Sequence, residues 1–287
     1  MEFRGKTPTE VYSRVGIELL TAPQVQARGL TTRELLDVTL IVDDPSEHFI
    51  SQRMEPIALR YAVGEFCFFI TGRNDLAMIE HYSKFWSRIS DDGKVVNSAY
   101  GKRLFIDENA HGARALQYAL GTLEQDMFTR KAVLPIYHVN DSHESNDNPC
   151  TMFLQLVIRD SKLSCHAFMR SNDIWLGLPY DMFFFTLVQE IALVYLREEC
   201  YPNLQIGPYY HHAVSMHLYE RDIDVFGHSL YNLDTPVDVP ALTARDVNTW
   251  FSHLCFFEEV TRKSSTCKPY LSTPFQEWCK TRLIGKQ

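Results

Sequence analysis

The chain has 287 residues, 36 of them acidic and 28 basic for a formal net charge of −8, with 45% hydrophobic and 22% charged side chains. That length is ample for a sizeable core, and the composition is that of a folded globular protein rather than a disordered or fibrous one. An acidic total carries no electrostatic footprint for polymeric nucleic acid, and no polybasic segment suits anionic lipid. Polymer-binding and membrane roles recede, and an enzyme acting on small molecules leads.

Seven cysteines, Cys67, Cys150, Cys165, Cys200, Cys255, Cys267 and Cys279, are odd in number and widely spaced, with no CxxC pair. Neither a disulfide framework nor a zinc knuckle is suggested. The first residues, MEFRGK, hold no apolar stretch resembling a signal peptide. The most apolar windows, residues 65–70 and 182–196, are too short to span a bilayer, and the second carries Gln189 and Glu190. The expectation is a cytoplasmic protein.

Thr7-Pro8-Thr9-Glu10 opens a helix: Thr7 suits the cap, Pro8 the first helical position, and Glu10 can return a hydrogen bond to the cap. This helix is predicted to reach about Leu20. Residues 34–44 (ELLDVTLIVDD) are rich in branched apolar side chains and predict a strand. A helix is expected over 56–70, stopped by Gly72. Another is expected over 110–126, where Ala113, Leu116, Leu120 and Leu123 recur at three- and four-residue spacing. Residues 132–139, 152–159 and 162–169 predict successive strands, the last two joined by a tight Asp160-Ser161 turn. Residues 140–148, mostly Asn, Asp, Ser and His, form a loop that ends at Pro149-Cys150. A long buried helix is predicted over 181–197 and a strand over 213–219. With no internal repeat or linker, one α+β domain over residues 1–287 is expected.

Several side chains along this outline carry chemistry. Cys150, after a polar loop and at the mouth of a strand, is placed to be a nucleophile if cations lower its pKa; a buried small hydrophobe is the competing reading. Arg170-Ser171-Asn172-Asp173 follows a strand and precedes the Gly177-Leu178-Pro179 turn. Guanidinium, hydroxyl and amide groups clustered there suit a phosphate or a polar ligand edge, or simply a hydrogen-bonded turn. Arg130-Lys131 is a second basic spot, or a solvated strand start. Glu65 interrupts an apolar run and must be paired, protonated or functional if it points inward. His211, His212 and His217 match no metal-ligand spacing, so no metal is expected. Phosphate-loop and GxSxG patterns do not occur.

Together these pieces resemble the thymidylate synthase superfamily. Asn148-Pro149-Cys150 is similar to its nucleophile loop. Arg170 to Asp173, followed by Gly177-Leu178-Pro179-Tyr180-Asp181, resembles its phosphate- and base-reading segment. His217-Leu218-Tyr219 is similar to its sugar-contacting H-x-Y, the run from Gly64 to Gly72 to its H-E-L-L-W-F-L-x-G helix, and Tyr100-Gly101-Lys102 to its YGK. The details are most similar to phage-type deoxycytidylate 5-hydroxymethylases, which share Met169-Arg170-Ser171-Asn172-Asp173 and have Asp where thymidylate synthases have Asn, at Asp181. A carboxylate there can accept from N4 and from a protonated N3, which favours cytosine. The competing reading is that Asp181 caps the helix beginning there.

The resemblance implies an α+β fold in which a mixed sheet packs with helices and one sheet face forms the interface of a homodimer. It implies transfer of a one-carbon unit from 5,10-methylenetetrahydrofolate to C5 of a pyrimidine mononucleotide, through a Cys150 adduct at C6. Water addition would give a 5-hydroxymethyl product from dCMP or CMP. A C5 methyltransferase acting on dCMP or dUMP and a non-catalytic nucleotide-binding homologue are the alternatives. Glu65 would organise water and protons. Arg28, Arg170 and Ser171 would hold the phosphate, joined in trans by Arg130 and Lys131. Asn172 falls in the nucleotide-binding run, His217 and Tyr219 would hold the sugar, and Trp86, Tyr100, Asp173 and Gly177 would serve the folate. The chain departs from the family at Lys131, where Arg is usual, at Ile89, where a second Trp is expected, around Arg28, and over residues 283–287, which lack an apolar ending.

Overall fold

The computed structural model describes residues 1–27, 29–53, 56–231, 238–263 and 271–284. The first half of the chain forms β1 (Glu2–Gly5), α1 (Pro8–Leu20), β2 (Gln24–Ala27), β3 (Leu30–Val42), α2 (Pro56–Ile70), α3 (Leu76–Ile79), α4 (Phe85–Ile89), α5 (Tyr100–Phe105), α6 (Ala115–Gln125) and β4 (Val133–Pro135). The second forms β5 (Thr151–Arg159), β6 (Lys162–Met169), β7 (Asn172–Asp173), α7 (Leu178–Glu199), β8 (Gln205–Tyr219), α8 (Ile223–Ser229), α9 (Ala244–Asn248), α10 (Ser252–Arg262) and α11 (Pro274–Leu283). This is an α+β fold with a mixed sheet packed by helices. Two compact units emerge: residues 1–54, 150–190 and 204–239, and residues 55–149, 191–203 and 240–287.

In the first unit the strands lie in the order β1–β3–β8–β6–β5, with β2 on β3 and β7 on β8. β1 is parallel to β3, and β6 and β7 are parallel to β8. The other pairings within the unit are antiparallel. Thr7 caps α1 as predicted, accepting from the Glu10 N–H at 3.3 Å, while the Glu10 carboxylate turns back to the Lys6 N–H rather than to Thr7 itself. The apolar face of α1, Val11, Tyr12, Val15 and Leu19, is fully buried, each side chain contributing about 2 kcal/mol. Asp160 and Ser161 both take positive φ, 50° and 56°, the backbone of a two-residue hairpin whose twist matches β5 and β6.

Strand alternation decides which side chains turn inward. On β8, Tyr209, His211 and Ala213 are buried while Tyr210 and His212 are half-buried on the opposite face. The phase inverts beyond Val214, where Asp37 on the neighbouring β3 takes φ 52°, and Met216 and Leu218 become the inward pair. A ladder of flat rings covers the half-buried face. Phe153 stacks on Phe168 with centroids 4.4 Å apart, Phe168 on His212 at 4.4 Å, and His166 on Tyr210 at 4.2 Å. At the shift in the β6–β8 register, the Gln189 amide of α7 donates to both Leu163 and Gly207 carbonyls at 2.9 Å, satisfying groups the ladder leaves open.

The second unit is built around α2, which is apolar on nearly every side and correspondingly enclosed. Phe66 meets Phe251 and Phe275 edge-on at 5.2 and 5.7 Å. Gly101 at the start of α5 crosses the end of α2 so closely that a β-carbon there would lie 1.8 Å from the Phe69 carbonyl oxygen. The predicted loop over 140–148 is well tethered. Asp141 makes a buried two-point pair with Arg103, and Asp147 accepts from the Asn97 N–H at 2.6 Å and from the Ser98 hydroxyl.

Several boundaries differ from expectation. The helix expected from residue 110 starts at Ala115, because the Asn109 side chain accepts from the His111 and Ala113 N–H groups and holds a turn instead. The strand expected over 132–139 is only Val133–Pro135, since Pro135 lacks a ladder donor. The last predicted strand extends back to Gln205.

Candidate functional site

Cys150 precedes β5 and is partly exposed, and its carbonyl accepts from the Arg170 N–H at 2.9 Å. The pairing of β5 with β6, Thr151 opposite Met169, brings Arg170 and Ser171 beside it. The Ser171 hydroxyl is 3.8 Å from the Cys150 sulfur. A thiol, a hydroxyl and a guanidinium residue are thus gathered at one end of the hairpin by strand register alone.

The next residues turn onto β8. Asn172 and Asp173 pair with Met216 and His217, and His217 packs edge-on against Tyr219 with centroids 5.5 Å apart. Asp173 anchors the turn: Oδ1 accepts from the Trp175 and Leu176 N–H groups, both at 2.8 Å. Its other oxygen, Oδ2, is buried without a hydrogen-bond partner among the described residues. Burial pushes the Asp173 carboxyl up, partly countered by the Leu176 N–H. An acceptor left open inside the protein is suited to an N–H of a bound molecule.

Asp181 lies one turn into α7, which begins at Leu178 rather than at 181. The capping reading is therefore excluded, and the side chain instead accepts from Nδ2 of Asn172 at 2.7 Å. Gly177 fits here because a β-carbon would lie 3.2 Å from Asn172 Nδ2 and 3.4 Å from Asp181 Oδ2. Although Asp181 keeps some exposed area, protein surrounds its carboxyl and pushes it up to about 7. The Asn172 donor pulls the other way, and the Asp173 charge adds to the rise.

Behind Asn172 stand two residues that the sequence did not assign to the site. Asn172 Oδ1 is 3.0 Å from Nε2 of His211, and His211 Nδ1 is 2.9 Å from the Tyr209 hydroxyl. The β8 alternation is the signal that would have found them, once the strand is known to begin at Gln205. His211 and His212 point to opposite faces as neighbours on a strand must. Among the described residues no group of three or more His, Cys, Asp and Glu side chains is arranged to hold a metal ion.

In the second unit Glu65 is buried, and the Tyr61 hydroxyl one turn earlier on α2 donates to it. Trp86 Nε1 donates to the same hydroxyl at 3.0 Å, so Trp86, Tyr61 and Glu65 form one hydrogen-bonded series. Tyr61 was not singled out in the sequence, and its place four residues before Glu65 is the cue. Tyr100 stacks on Phe69 at 5.3 Å. Arg130 and Lys131 are exposed ahead of β4. Arg28, and residues 285–287 of the divergent C-terminal stretch, lie outside the described residues.

Among the described residues no helix is long and apolar enough to cross a membrane. The family model described as thymidylate synthase matches residues 22–262. A protein of Bacillus phage SP01 named deoxyuridylate hydroxymethyltransferase is 26% identical over 232 residues, which cover 77% of this chain and 59% of that protein. The match thus spans less than two thirds of the relative's length. With well over half of its residues inside the family model, and with the nucleophile loop, the RSND run and the H-x-Y strand inside that span, the chain belongs to the thymidylate synthase family.

Proposed function

We propose that the protein is a pyrimidine nucleotide C5 hydroxymethyltransferase that converts dCMP or CMP to its 5-hydroxymethyl derivative. The observation that carries this reading is the Asn172–Asp181 pair within the segment that also sets Arg170 and Ser171 beside Cys150. A carboxylate in that segment suits the cytosine edge, where an amide suits uracil. Deoxyuridylate is the substrate in the printed name of the phage relative. The Asp181 carboxyl, balanced near neutrality, supports uracil as a second base when it is protonated.

The family uses 5,10-methylenetetrahydrofolate as co-substrate, and the open Oδ2 of Asp173 fits a ligand N–H of the kind a pterin ring carries. That molecule supplies the one-carbon unit. The residues of this chain do the rest. The Cys150 thiolate adds to C6, which gives C5 the electron density an unmodified pyrimidine lacks. Asp181 accepts from the ring nitrogens and stabilises the adduct. C5 bonds to that one-carbon unit, and loss of the C5 proton with departure of tetrahydrofolate leaves an exocyclic methylene on the pyrimidine. Water, held by Glu65 through its Tyr61 series, adds there as the ring double bond reforms and Cys150 departs. Ile89 in place of a second tryptophan leaves the shield against water narrower, which favours hydroxymethyl over methyl. Arg28, Arg170 and Ser171 hold the phosphate, joined by Arg130 and Lys131 of a second copy. His217 and Tyr219 hold the sugar, and Trp86, Tyr100 and Gly177 serve the folate. The aromatic ladder on the half-buried sheet face supports a homodimer.

Incubation with 5,10-methylenetetrahydrofolate and each of dCMP, CMP, dUMP and UMP, read by mass spectrometry, tests this. A 5-hydroxymethyl cytosine nucleotide is expected. A 5-methyl product accompanied by dihydrofolate, or no product that depends on Cys150, would overturn it.

A further inference from the structure

Glu65 shares one face of α2 with two other residues. Tyr61, Gly64 and Glu65 stand three and four positions apart on the helix, so all three turn the same way. The segment that follows α3 runs back across this face. Tyr82 lies over Gly64, and four residues later Trp86 reaches Tyr61. An indole N–H can only donate, so the Tyr61 oxygen accepts from Trp86 Nε1 at 3.0 Å and its own hydrogen goes to Oε1 of Glu65. The series therefore has one polarity, from Trp86 through Tyr61 to Glu65.

The Tyr82 ring sits closer to Gly64 than a side chain there would permit. A β-carbon on Gly64 would lie 2.6 Å from three ring carbons of Tyr82, the nearest atoms it would meet. Glycine inside a helix is about 1 kcal/mol less favourable than alanine, so helix stability is forgone for this close approach. The helix motif of the family has His at this place, whereas here the space is filled by a ring from another segment. That ring is pinned at its far end. The Tyr82 hydroxyl donates to Oε1 of Glu258 on α10 at 2.8 Å, and Arg262 Nε donates to the same oxygen at 2.7 Å. Burial pushes the Tyr82 phenol up and the Glu258 charge adds to the rise, so the hydroxyl keeps its hydrogen and remains a donor. Arg60, one turn before Gly64, donates to Nε2 of His81 at 3.0 Å and sets its guanidinium 5.4 Å from the centre of the Tyr82 ring.

We propose that Tyr82, seated on Gly64 and tied to Glu258, is a positioning residue for Glu65: it fixes where Trp86 crosses α2, and so holds the indole on Tyr61 and aims the Tyr61 hydrogen at the carboxyl. The inference rests on the reading of Glu65 as the group that holds the attacking water. Tyr82 acts through Trp86 and Tyr61, which gives it a signature that lost packing alone does not have. Gly64 is the other half of the arrangement, because the ring needs a position without a β-carbon.

The first readout needs no substrate. The chain has four tryptophans, Trp86, Trp175, Trp250 and Trp278, whose indole N–H groups are followed by NMR on protein isotope-labelled at tryptophan nitrogen. The Trp86 resonance is identified by its loss in Trp86→Phe, and Tyr61→Phe shows where it falls once the hydrogen bond is gone. Gly64→Ala is expected to move it to about that position and Tyr82→Phe part of the way, with the other three resonances in place.

The second readout is kcat with saturating dCMP and 5,10-methylenetetrahydrofolate. It is expected to fall about tenfold in Gly64→Ala and about threefold in Tyr82→Phe, with KM for dCMP within about twofold. Added to Tyr61→Phe, Gly64→Ala is expected to cost less than about twofold more, because the bond through which it acts is already absent. Two independent losses of that size would multiply to about a hundredfold. Alanine favours the helix at position 64, so a fall in kcat does not come from a weakened α2. Tyr82→Phe keeps the ring on Gly64 and covers the case in which Gly64→Ala fails to fold.

A Trp86 resonance that keeps its wild-type position in both variants, or losses of kcat that multiply, would overturn the proposal. Turnover that is normal in Tyr61→Phe also sinks it, and leaves the reaction standing. A wild-type chain that turns over no nucleotide removes the reaction instead, and a resonance displaced by Gly64→Ala and by Tyr82→Phe then still assigns the placement of Trp86 to Tyr82.

Discussion

Asn172 Nδ2 lies 2.7 Å from Oδ2 of Asp181, and this single donor does not compensate the desolvation of the carboxyl, which protein surroundings push up to about 7. The group therefore opposes folding when ionised. An unfolded chain releases this proton near pH 4, whereas the folded chain holds it until about pH 7. Between those values the folded state binds more protons, so the contribution of Asp181 to stability falls as pH rises and stays low above about 7. Asp181→Asn keeps the hydrogen bond from Asn172 and removes the charge. It is expected to stabilise the protein by about 2 kcal/mol at pH 8, after discounting for partial exposure, and by little at pH 5. Denaturant unfolding of both proteins at the two pH values checks this. A variant less stable than wild type at pH 8 would contradict the account of the carboxyl.

The Tyr61 hydroxyl links two parts of the candidate chemistry, donating to Glu65 and accepting from Trp86 Nε1 at 3.0 Å. Tyr61→Phe leaves the ring packing in place and removes both bonds. Glu65 then loses the donor that orients it, and the Trp86 indole is left without this acceptor. The expected outcome is a fall in kcat of about tenfold, a loss near the size of one charge-assisted hydrogen bond, with KM for the nucleotide within about twofold. Steady-state kinetics separate the two. A raised KM with normal kcat would place Tyr61 in nucleotide binding instead.

Much of this architecture was legible in the sequence because it rests on local rules. Thr7 and Pro8 fix the start of α1, Asp160-Ser161 fixes the hairpin, and the apolar stretch closed by Gly72 marks α2. The short strands β1 and β2, EFRG and QVQA, were not legible, because four residues carry no measurable period and their pairing with β3 is a tertiary event. The site divides in the same way. Cys150, Arg170 and Asp181 stand out by motif and spacing. Tyr209 and His211 do not, because two adjacent tyrosines are followed by two adjacent histidines and show no alternation, and only the strand's origin and the inversion beyond Val214 decide which of them face inward. The competing reading of Asp181 as a helix cap falls only because α7 begins at Leu178.

The loop before Cys150 is held by an ion pair in which both partners are nearly buried: Arg103 donates to Asp141 Oδ2 at 2.5 Å and to Oδ1 at 2.7 Å. The Asp141 carboxylate also accepts from the His138 N–H at 2.7 Å. Asp141→Ala removes the acceptor and leaves the guanidinium without its buried partner. The expected cost is about 3 kcal/mol of stability, much more than the loss from a surface pair such as Lys84 with Glu80. Thermal unfolding of Asp141→Ala beside Glu80→Ala provides the comparison. Equal shifts in Tm would show that the loop is anchored elsewhere.

The exposed pair Arg130 and Lys131 gives the proposed homodimer its sharpest test. If these side chains complete the phosphate site of a second copy, a chain lacking Cys150 and a chain lacking both basic residues fail for different reasons. Homodimers of Cys150→Ala and of Arg130→Ala with Lys131→Ala are each expected to be inactive or nearly so. After exchange of equal amounts, half of the dimers are mixed. Each mixed dimer carries one site with both defects and one with neither, so the mixture is expected to recover about a quarter of wild-type activity. Sites contained within one chain predict no recovery, because every Cys150-containing site would still lack its own basic pair. The two outcomes are read from one activity assay on the mixed and unmixed proteins, with sedimentation confirming that exchange has taken place. Recovery near a quarter would assign Arg130 and Lys131 to the neighbouring site, and its absence after confirmed exchange would return them to their own chain.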